Sequence, residues 1–369
     1  MKKICFCALS AYPLLVNTDI QFIGGAELQQ VLIAKELNRR GYEVAFIVFD
    51  HGQPPLEEIN GISIFKTIPP RSTFRNTRTM FIALRTIWNS LKKANADIYF
   101  QECSGFLTGV IALFCQIYNK KFIYQLASDM DIDQKYLKEM GTFSRWAYRF
   151  GLKKAHRIIA QSIFQKDLVQ KNLSLDAIII KNPIQISRDK IPKKSEPPIV
   201  LWVGTIKPNW KQPEVFLRLA REIPHAKFQM IGGAAANQEY YKNIEREAKT
   251  LSNLEFLGFV SHHKKMECFK NASILVNTSS VEGFSYTFLE AWENYVPVVS
   301  LNIDPDEIIC KYSLGYHSKE FKRLIQDVKE LVYDKSKREY MGKKGREYVE
   351  KEHEIGTVID KYSLIFDSM

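Results

Sequence analysis

The chain has 369 residues, of which 46% are hydrophobic and 25% charged, so it can bury more than one core and is neither disordered nor fibrous. No apolar run approaches the roughly 18 residues that would span a bilayer. Residues 1–185 carry 24 basic and 15 acidic side chains, whereas the remainder carries 28 and 26, within a net charge of +11. The first half therefore holds the charge that attracts an anionic partner.

The first residues allow two interpretations. Lys2 and Lys3 precede a short apolar run, Ile4 to Leu9, which superficially resembles a signal peptide. The run is short and a polar segment follows, which favours a first buried strand. The six cysteines lie mostly inside apolar stretches and none forms a C-x-x-C pair with metal spacing, which predicts reduced core thiols in a cytoplasmic protein; they are Cys5, Cys7, Cys103, Cys115, Cys268 and Cys310.

A short apolar run, a loop and a helical pattern then repeat along the chain, which predicts an α/β fold with parallel strands. The first helix is predicted from about Ala26 to Arg40 and ends at Gly41. The predicted strands of the first series, after Ile4 to Leu9, are Val44–Phe49, Ile98–Phe100, Phe122–Tyr124 and Ile158–Ala160. Those of the second are Ile199–Val203, Phe228–Ile231, Ile274–Val276 and Val296–Val299.

Between the two series, residues 186–198 combine prolines with charges and read as a linker. We therefore predict two Rossmann-like, doubly wound domains, 1–185 and 199–369, facing each other across a cleft. The last helix of the second domain could pack back on the first.

The most informative segment for chemistry runs from Asn277 to Glu293. A buried strand is predicted to end near Asn277, and a helix to begin near Ser285, so that its first amides suit a phosphate. Glu282 precedes these amides and Glu290 lies about one and a half turns into the helix. Two carboxylates would then flank an anion site, although a helix cap and a solvated glutamate remain the alternative.

Glu282 and Glu290, with seven residues between them, resemble the E-x7-E motif of retaining glycosyltransferases of family four, which have the GT-B fold. Gly283 and Phe284 also fit that pattern. The resemblance implies a nucleoside diphosphate sugar donor bound by the second domain. It also implies that Glu282 holds sugar hydroxyls, that Glu290 holds ribose hydroxyls, and that the amides of Phe284 and Ser285 contact the diphosphate.

Other segments carry the same resemblance in order along the chain. Gly24-Gly25 is similar to the glycine-rich first loop of the family, where backbone amides approach the diphosphate. Lys211 matches a lysine that holds the leaving diphosphate, and solvated loop lysines remain the alternative. The remaining donor-side residues implied by the resemblance are Gly204, Thr205 and Lys207 on the same loop, and Phe259 and Val260 near the nucleotide base.

The chain departs from the family where many relatives carry a histidine that faces the donor sugar. Ser128 or Asp129 takes that place here, and both are acceptor-side candidates. Asp129, Asp131 and Asp133 form a D-x-D-x-D stretch, but Gln134 and Met140 stand where an EF-hand needs glycine and an acid. We expect no metal and no cofactor besides the donor.

Residues 71–93 hold six basic and no acidic side chains, with apolar residues at helical spacing. This pattern fits a core-packed helix with a solvated basic face or peripheral docking to an anionic membrane. Arg145, Trp146, Arg149, Lys153, Lys154 and Arg157 form a second cationic cluster that could share that surface. No recognisable nucleic-acid module accompanies the charge, so nucleic acid is a less favoured partner.

Together with these features, the resemblance implies a retaining glycosyltransferase that acts on a lipid-linked or growing saccharide. By family analogy alone, the expected setting is bacterial envelope or exopolysaccharide synthesis. Two alternatives stay open at this point. A nucleotide-sugar 2-epimerase would have the same architecture, and a non-catalytic protein could bind anionic surfaces.

Overall fold

The computed structural model describes residues 2–16, 24–70, 77–188, 191–235 and 237–369, and within them two compact units. The first contains a sheet of strands in the order β3-β4-β2-β1-β5-β6-β7-β8. Every pairing is parallel except the β3–β4 hairpin. The strands are β1 (Lys3–Cys7), β2 (Glu43–Val48), β3 (Leu56–Ile59), β4 (Ile62–Lys66), β5 (Ile98–Glu102), β6 (Lys121–Gln125), β7 (Arg157–Ala160) and β8 (Ile178–Ile179).

The second unit contains a parallel sheet in the order β11-β10-β9-β12-β13-β14. Its strands are β9 (Ile199–Val203), β10 (Lys227–Ile231), β11 (Leu254–Gly258), β12 (Ile274–Asn277), β13 (Val298–Ser300) and β14 (Gly315–His317). Strand order reverses between β9 and β12, so the loops after these two strands meet at the switch point where such sheets bind ligands.

Helices cover both faces of each sheet, as parallel strands require. Those of the first unit are α1 (Tyr12–Leu15), α2 (Gly25–Arg39), α3 (Thr77–Ala94), α4 (Phe106–Ile117), α5 (Gln134–Glu139), α6 (Thr142–Lys154) and α7 (Ile163–Leu173). Those of the second are α8 (Pro213–Glu222), α9 (Gln238–Ala248), α10 (His262–Asn271), α11 (Tyr286–Glu293), α12 (Ile308–Lys311), α13 (Phe321–Tyr333) and α14 (Lys335–Glu352).

The last helix, α15 (Ile355–Asp367), belongs to the first unit, which comprises residues 1–183 and 355–369. Tyr362 and Phe366 lie in the same core as Phe100 of β5. Arg40 donates a hydrogen bond to Asp360 at 2.6 Å, which ties α15 to the end of α2. The second unit therefore ends at residue 354 rather than 369, because the apolar face of α15 is buried on the first sheet.

The segment read as a linker, residues 186–198, is part of the second unit. The Ser187 amide donates to Glu293 at 3.0 Å, and the Lys194 ammonium donates to the Asn294 carbonyl at 2.7 Å. Prolines and charges predicted a segment without regular structure, and its described residues, 186–188 and 191–198, form neither helix nor strand. They did not indicate that hydrogen bonds between backbone and side-chain groups hold the segment against the end of α11.

The β3–β4 hairpin and the short strand β8 are absent from the sequence-based prediction, and so are strands β11 and β14. Asn60 and Gly61 form the hairpin turn with positive φ angles of 50° and 79°. Asn-Gly is the preferred dipeptide for such a turn, so the sequence did contain a signal for the hairpin.

Helices α4 and α6 pack backbone against backbone through two glycines. A Cβ atom added to Gly109 would lie 2.5 Å from the Ala147 carbonyl oxygen, and one added to Gly151 would lie 2.6 Å from that of Thr108. Neither position has room for a side chain without moving the two helices apart. Because the two helices pack so closely, their outer surfaces lie next to each other.

We expect Gly151→Ala to lower the free energy of unfolding by about 1–3 kcal/mol, because overpacking displaces a helix. Helix propensity alone would change stability in the opposite direction, by about 1 kcal/mol. Thermal unfolding followed by circular dichroism measures the sign directly. A raised or unchanged melting temperature would contradict close packing of α4 against α6.

Candidate active site

The loops after β9 and β12 are joined by a short chain of hydrogen bonds at the switch point of the second sheet. Trp202 donates its indole N–H to the Thr278 hydroxyl at 2.9 Å, and that hydroxyl donates to the Lys211 carbonyl at 2.6 Å. The Ser280 amide donates to the Trp210 carbonyl at 2.8 Å. These bonds place Lys211, at the end of one loop, beside the segment that carries Glu282 on the other.

Lys211 and Glu282 form an ion pair across the two loops. The Ser279 hydroxyl donates to the same carboxylate oxygen, Oε1, at 2.8 Å, so this oxygen is held from two sides. The side chains of Lys211 and Glu282 are 27% and 14% exposed. An ammonium group has three N–H donors, so the ion pair leaves Lys211 with capacity to bind an anion.

Helix α11 begins after Ser285, where the sequence predicted it. The Ser285 side chain does not cap the helix and instead lies 2.9 Å from the Thr287 hydroxyl. Gly283 and Phe284 connect this helix start to Glu282, and the Phe284 ring is buried 4.9 Å from that of His353. The backbone amides at the start of α11 are the hydrogen-bond donors that were predicted from the sequence to bind a phosphate.

Glu290 is buried, with 4% of its surface exposed, rather than a solvated helical residue. Its Oε1 lies 2.5 Å from the Lys265 ammonium of α10. Its Oε2 has no hydrogen-bond partner among the residues that the structure describes. A buried carboxylate oxygen without a partner is unfavourable by itself, which indicates a position suited to a hydroxyl ligand.

Lys265 is a candidate site residue that the sequence did not predict. It follows His262, His263 and Lys264 at the start of α10, and no local pattern distinguishes it from its neighbours. Only the packing of α10 beside α11 shows that Lys265 contacts Glu290. Glu282 and Glu290 are therefore each paired with a lysine, the first on the loops after β9 and β12 and the second between the helices after β11 and β12.

The remaining residues predicted to contact the donor lie on loops at the carboxyl edge of this sheet. Gly204 directly follows β9, and a Cβ atom on Gly232 would lie 2.4 Å from the Gly204 carbonyl oxygen. Thr205 is half-buried on the same loop. The Lys207 ammonium lies 3.2 Å from the centre of the Trp210 ring, and burial lowers the pKa of Lys207.

Phe259 and Val260 connect β11 to α10 and are half-buried. Gly258 before them has a positive φ of 63°, which turns the chain out of the strand. The Ser261 hydroxyl after them caps α10 by accepting from the Lys264 amide at 3.2 Å. The structure therefore places this loop at the same sheet edge as Gly204 and Glu282, as expected for strands of one parallel sheet.

Family models match both units of the chain. The model described as "Glycosyltransferase Family 4" matches residues 23–188, and that described as "Glycosyl transferases group 1" matches residues 183–348. The chain belongs to the family-4 type of GT-B glycosyltransferases. The predicted GT-B fold class, with two Rossmann-like domains, is thereby confirmed.

Individual relatives agree with this assignment. The glycosyltransferase is 22% identical over 338 residues to an uncharacterized glycosyltransferase of Methanocaldococcus jannaschii, which covers 89% of this chain and 91% of the relative. Sucrose-phosphate synthase of Thermosynechococcus elongatus has a TM-score of 0.82 at 16% identity, covering 100% and 99% of the two chains. Anabaena HepE in complex with UDP and glucose has a TM-score of 0.74 at 17% identity and covers 100% of each chain. These structures establish the shared fold.

In the first unit of the glycosyltransferase, Gly24 and Gly25 stand at the beginning of α2, with Gly24 as the N-cap. The Glu27 carboxylate folds back over Gly24, because a Cβ atom on Gly24 would lie 2.3 Å from Glu27 Oε2. Burial raises the pKa of this Glu27 carboxyl. The part of the first loop at residues 17–23 lies outside the described residues.

The acceptor-side candidates of the glycosyltransferase follow β6. Ser128 caps a short 3-10 helix by accepting from the Met130 amide at 3.3 Å, and Asp129 accepts from the Gln165 amide group at 3.0 Å. Asp131 accepts from the Ala127 amide at 2.7 Å. Asp133 caps α5, so the D-x-D-x-D carboxylates serve separate local partners.

Near these candidates the glycosyltransferase buries Glu102, at the end of β5, which the sequence did not single out. Burial, together with the charges of Glu27 and Asp131, raises the pKa of Glu102 well above its ordinary value. Its Oε1 lies 3.5 Å from the Gln161 amide nitrogen, and its Oε2 has no hydrogen-bond partner within the described part of the chain. Glu102 joins Ser128 and Asp129 among the polar groups at this end of the first sheet.

Two structural findings concern contact between the glycosyltransferase and a membrane. In the described residues, no helix combines the length and hydropathy needed to cross a bilayer. Of the basic segment 71–93, residues 71–76 lie outside the described part, and the rest forms α3.

Proposed function

We propose that this glycosyltransferase moves a sugar from a nucleoside diphosphate donor to a hydroxyl of a saccharide or lipid-linked saccharide, with retention at the anomeric carbon. The observation that carries the proposal is the pair of carboxylates, Glu282 and Glu290, each bound to its own lysine at one end of the second unit. We propose further that the reaction needs no metal.

Lys211 would stabilise the charge that grows on the diphosphate as the glycosidic bond breaks. Donors placed in advance at such a developing charge supply the largest expected part of catalysis. The amides of Phe284 and Ser285 at the beginning of α11 would act on the same charge. Lys207 is turned toward Trp210, so Lys211 is the better-placed cation of this loop.

Glu282 would accept hydrogen bonds from sugar hydroxyls and favour positive charge at the anomeric carbon. Glu290, through its unpartnered Oε2, would accept them from the ribose. The bond between the anomeric carbon and the diphosphate oxygen breaks, and a bond to the acceptor oxygen forms on the same face of the sugar. The acceptor proton passes to the departing phosphate, so no separate side-chain base is required.

The proposed setting is bacterial envelope or exopolysaccharide synthesis on the cytoplasmic side of a membrane. The proposal includes acceptor-side contacts at Ser128 and Asp129. It also includes further donor contacts at Gly24, Gly25, Gly204, Thr205, Phe259 and Val260. The charge of the first half, with no acidic residue in α3, supports contact with an anionic membrane surface.

A panel of sugar nucleotides in a thermal shift assay tests the proposal first. At a hundredfold excess over its Kd, the correct donor should stabilise the protein by about 2.7 kcal/mol. Nuclear magnetic resonance of the product formed with saccharide acceptors should then show the anomeric configuration of the donor.

Three results would contradict the proposal. The first is that no sugar nucleotide stabilises the protein, and the second is that the product has the inverted configuration. A changed sugar nucleotide released without any acceptor would instead indicate an epimerase.

A further inference from the structure

The solvent-facing half of α6 carries two parallel stripes of different chemistry. Arg145, Arg149 and Lys153 follow one another at intervals of four residues, and Phe143, Trp146 and Phe150 form the neighbouring stripe at helical spacing. The opposite half is buried. Cations and aromatic rings therefore share one exposed helix surface, side by side.

The aromatic stripe is both exposed and continuous. Phe143 and Trp146 are 60% and 63% exposed. Ring centres lie 5.3 Å apart for Phe106 and Phe143, 6.3 Å for Phe143 and Trp146, and 5.8 Å for Trp146 and Phe150. A contiguous apolar patch of this kind on a folded protein indicates a contact surface rather than scattered exposure.

The neighbouring helices continue this surface. Helix α4 has no charged residue, yet Leu113 and Ile117 are 44% and 59% exposed. On α3, Phe81 and Ile82 are 68% and 53% exposed. Contacts between Trp88 of α3 and Phe114 of α4, and the glycine packing of α4 on α6, hold the three helices in one layer. We call this layer's outer surface the α3–α4–α6 face.

The charge of the α3–α4–α6 face has a single sign. Helices α3 and α6 each contain four basic residues, and the sequences of all three helices contain no acidic residue. A groove of about 400 Å³ on this face is lined by Thr142, Arg145, Trp146, Arg149, Phe150 and Lys153. The Nε atoms of Arg145 and Arg149 are buried without a hydrogen-bond partner among the described residues, while Arg145 donates through Nη2 to the carbonyls of Lys138 and Met140 and Arg149 to the Gln134 side chain.

We propose that the α3–α4–α6 face docks on the surface of an anionic phospholipid bilayer, with Phe143 and Trp146 in the interface and the cations of α6 at the level of the lipid phosphates. Aromatic rings are favoured at that depth, and nearby cations add electrostatic attraction. The exposed Leu113 and Ile117 suit acyl chains, whereas a nucleic acid would leave them in water. This docking extends the membrane contact of the proposed function beyond α3.

Co-sedimentation with lipid vesicles tests the docking without any sugar nucleotide, so its result is independent of the transferase chemistry. The protein should bind vesicles made of equal parts phosphatidylglycerol and phosphatidylcholine, and bind pure phosphatidylcholine far more weakly. High salt should release it. Equal binding to both vesicles, or binding to neither, would overturn the proposal.

Removing positive charge from the α3–α4–α6 face should weaken vesicle binding, whereas removing the same charge elsewhere should not. A triple glutamine variant at the exposed positions Lys93, Lys153 and Lys154 should lower the partition coefficient by about two orders of magnitude. The matched control replaces three exposed lysines of the second unit, Lys242, Lys322 and Lys329. An equal loss in the control would show that net charge, not this face, determines binding.

The contribution of the aromatic stripe to vesicle binding can be measured separately. Phe143→Ser with Trp146→Ser should lower binding at least about tenfold, whereas Tyr333→Ser with Tyr340→Ser, also on exposed side chains, should not. In the unmodified protein, tryptophan emission should shift to the blue on anionic vesicles. Trp146→Phe should keep binding and lose most of that shift. An unchanged shift in that variant would place the membrane contact elsewhere.

Discussion

Replacement of Lys211 by alanine is expected to lower kcat by about a hundredfold to a thousandfold, the range for removing one preorganised donor at a developing charge. Nucleotide affinity should fall less, because the charge on the diphosphate increases during bond cleavage and is greatest in the transition state. Steady-state kinetics with the donor found in the thermal shift assay, together with calorimetry of nucleotide binding, separate the two effects.

Loss of stability should be small beside this loss of turnover. Lys211→Ala removes an ion pair between two partly exposed side chains, and such pairs contribute about 1 kcal/mol or less. The Ser279 hydroxyl still donates to Glu282 in the variant. Lys242→Ala, at an exposed lysine of α9, is the matched control and should leave kcat unchanged. Normal turnover in Lys211→Ala would remove this lysine from the mechanism.

Glu290→Gln is expected to weaken nucleotide binding about tenfold to a hundredfold while the fold stays intact. A hydrogen bond to a charged group contributes about 1.5–3 kcal/mol, and the substitution keeps the size of the side chain but not its charge. Isothermal titration calorimetry with the nucleoside diphosphate measures the change. Unchanged affinity would reject the assignment of Glu290 to the ribose.

Glu293, one turn along the same helix, provides the control for Glu290. It is equally buried, but its carboxylate accepts from the Ser187 amide at 3.0 Å and lies 3.3 Å from Arg346. Glu293→Gln should therefore lower the melting temperature and leave nucleotide affinity unchanged. If both variants lose affinity alike, the loss reflects the integrity of α11 rather than a contact made by Glu290.

Lys265 connects this prediction to a residue found only in the structure. Its ammonium holds Glu290 Oε1, so we infer that it orients the carboxylate and leaves Oε2 for the ligand. Lys265→Met should weaken nucleotide binding in the same direction as Glu290→Gln. The two changes combined should weaken it by less than their sum, because both disrupt one interaction.

Local sequence predicted the parts of the site that depend on neighbouring residues. The positions of Glu282 and Glu290 relative to the start of α11 follow from eight residues of chain and from helix geometry. Ser285 stands at the N-cap as expected, although its side chain bonds to Thr287 instead of capping. The Asn60-Gly61 hairpin was equally readable from the sequence, since its dipeptide prefers that turn.

Other features could not be read locally because they depend on residues far apart in the chain. Whether α15 packs on the first or the second sheet depends on which core its apolar face fits, not on its own periodicity. The burial of Glu102 and of Glu290 likewise depends on what surrounds each strand or helix end. A basic segment looks the same in sequence whether its aromatic residues are buried or exposed.

By itself, the sequence determined the order of apolar strands and amphipathic helices, the glycine-marked loops and the spacing of Glu282 from Glu290, because each depends on interactions over a few residues. Only the tertiary structure shows that Lys211 contacts Glu282, that Lys265 contacts Glu290, and that Phe143 and Trp146 are exposed to solvent. Those outcomes depend on strand order and helix packing, which bring together residues that no local pattern relates.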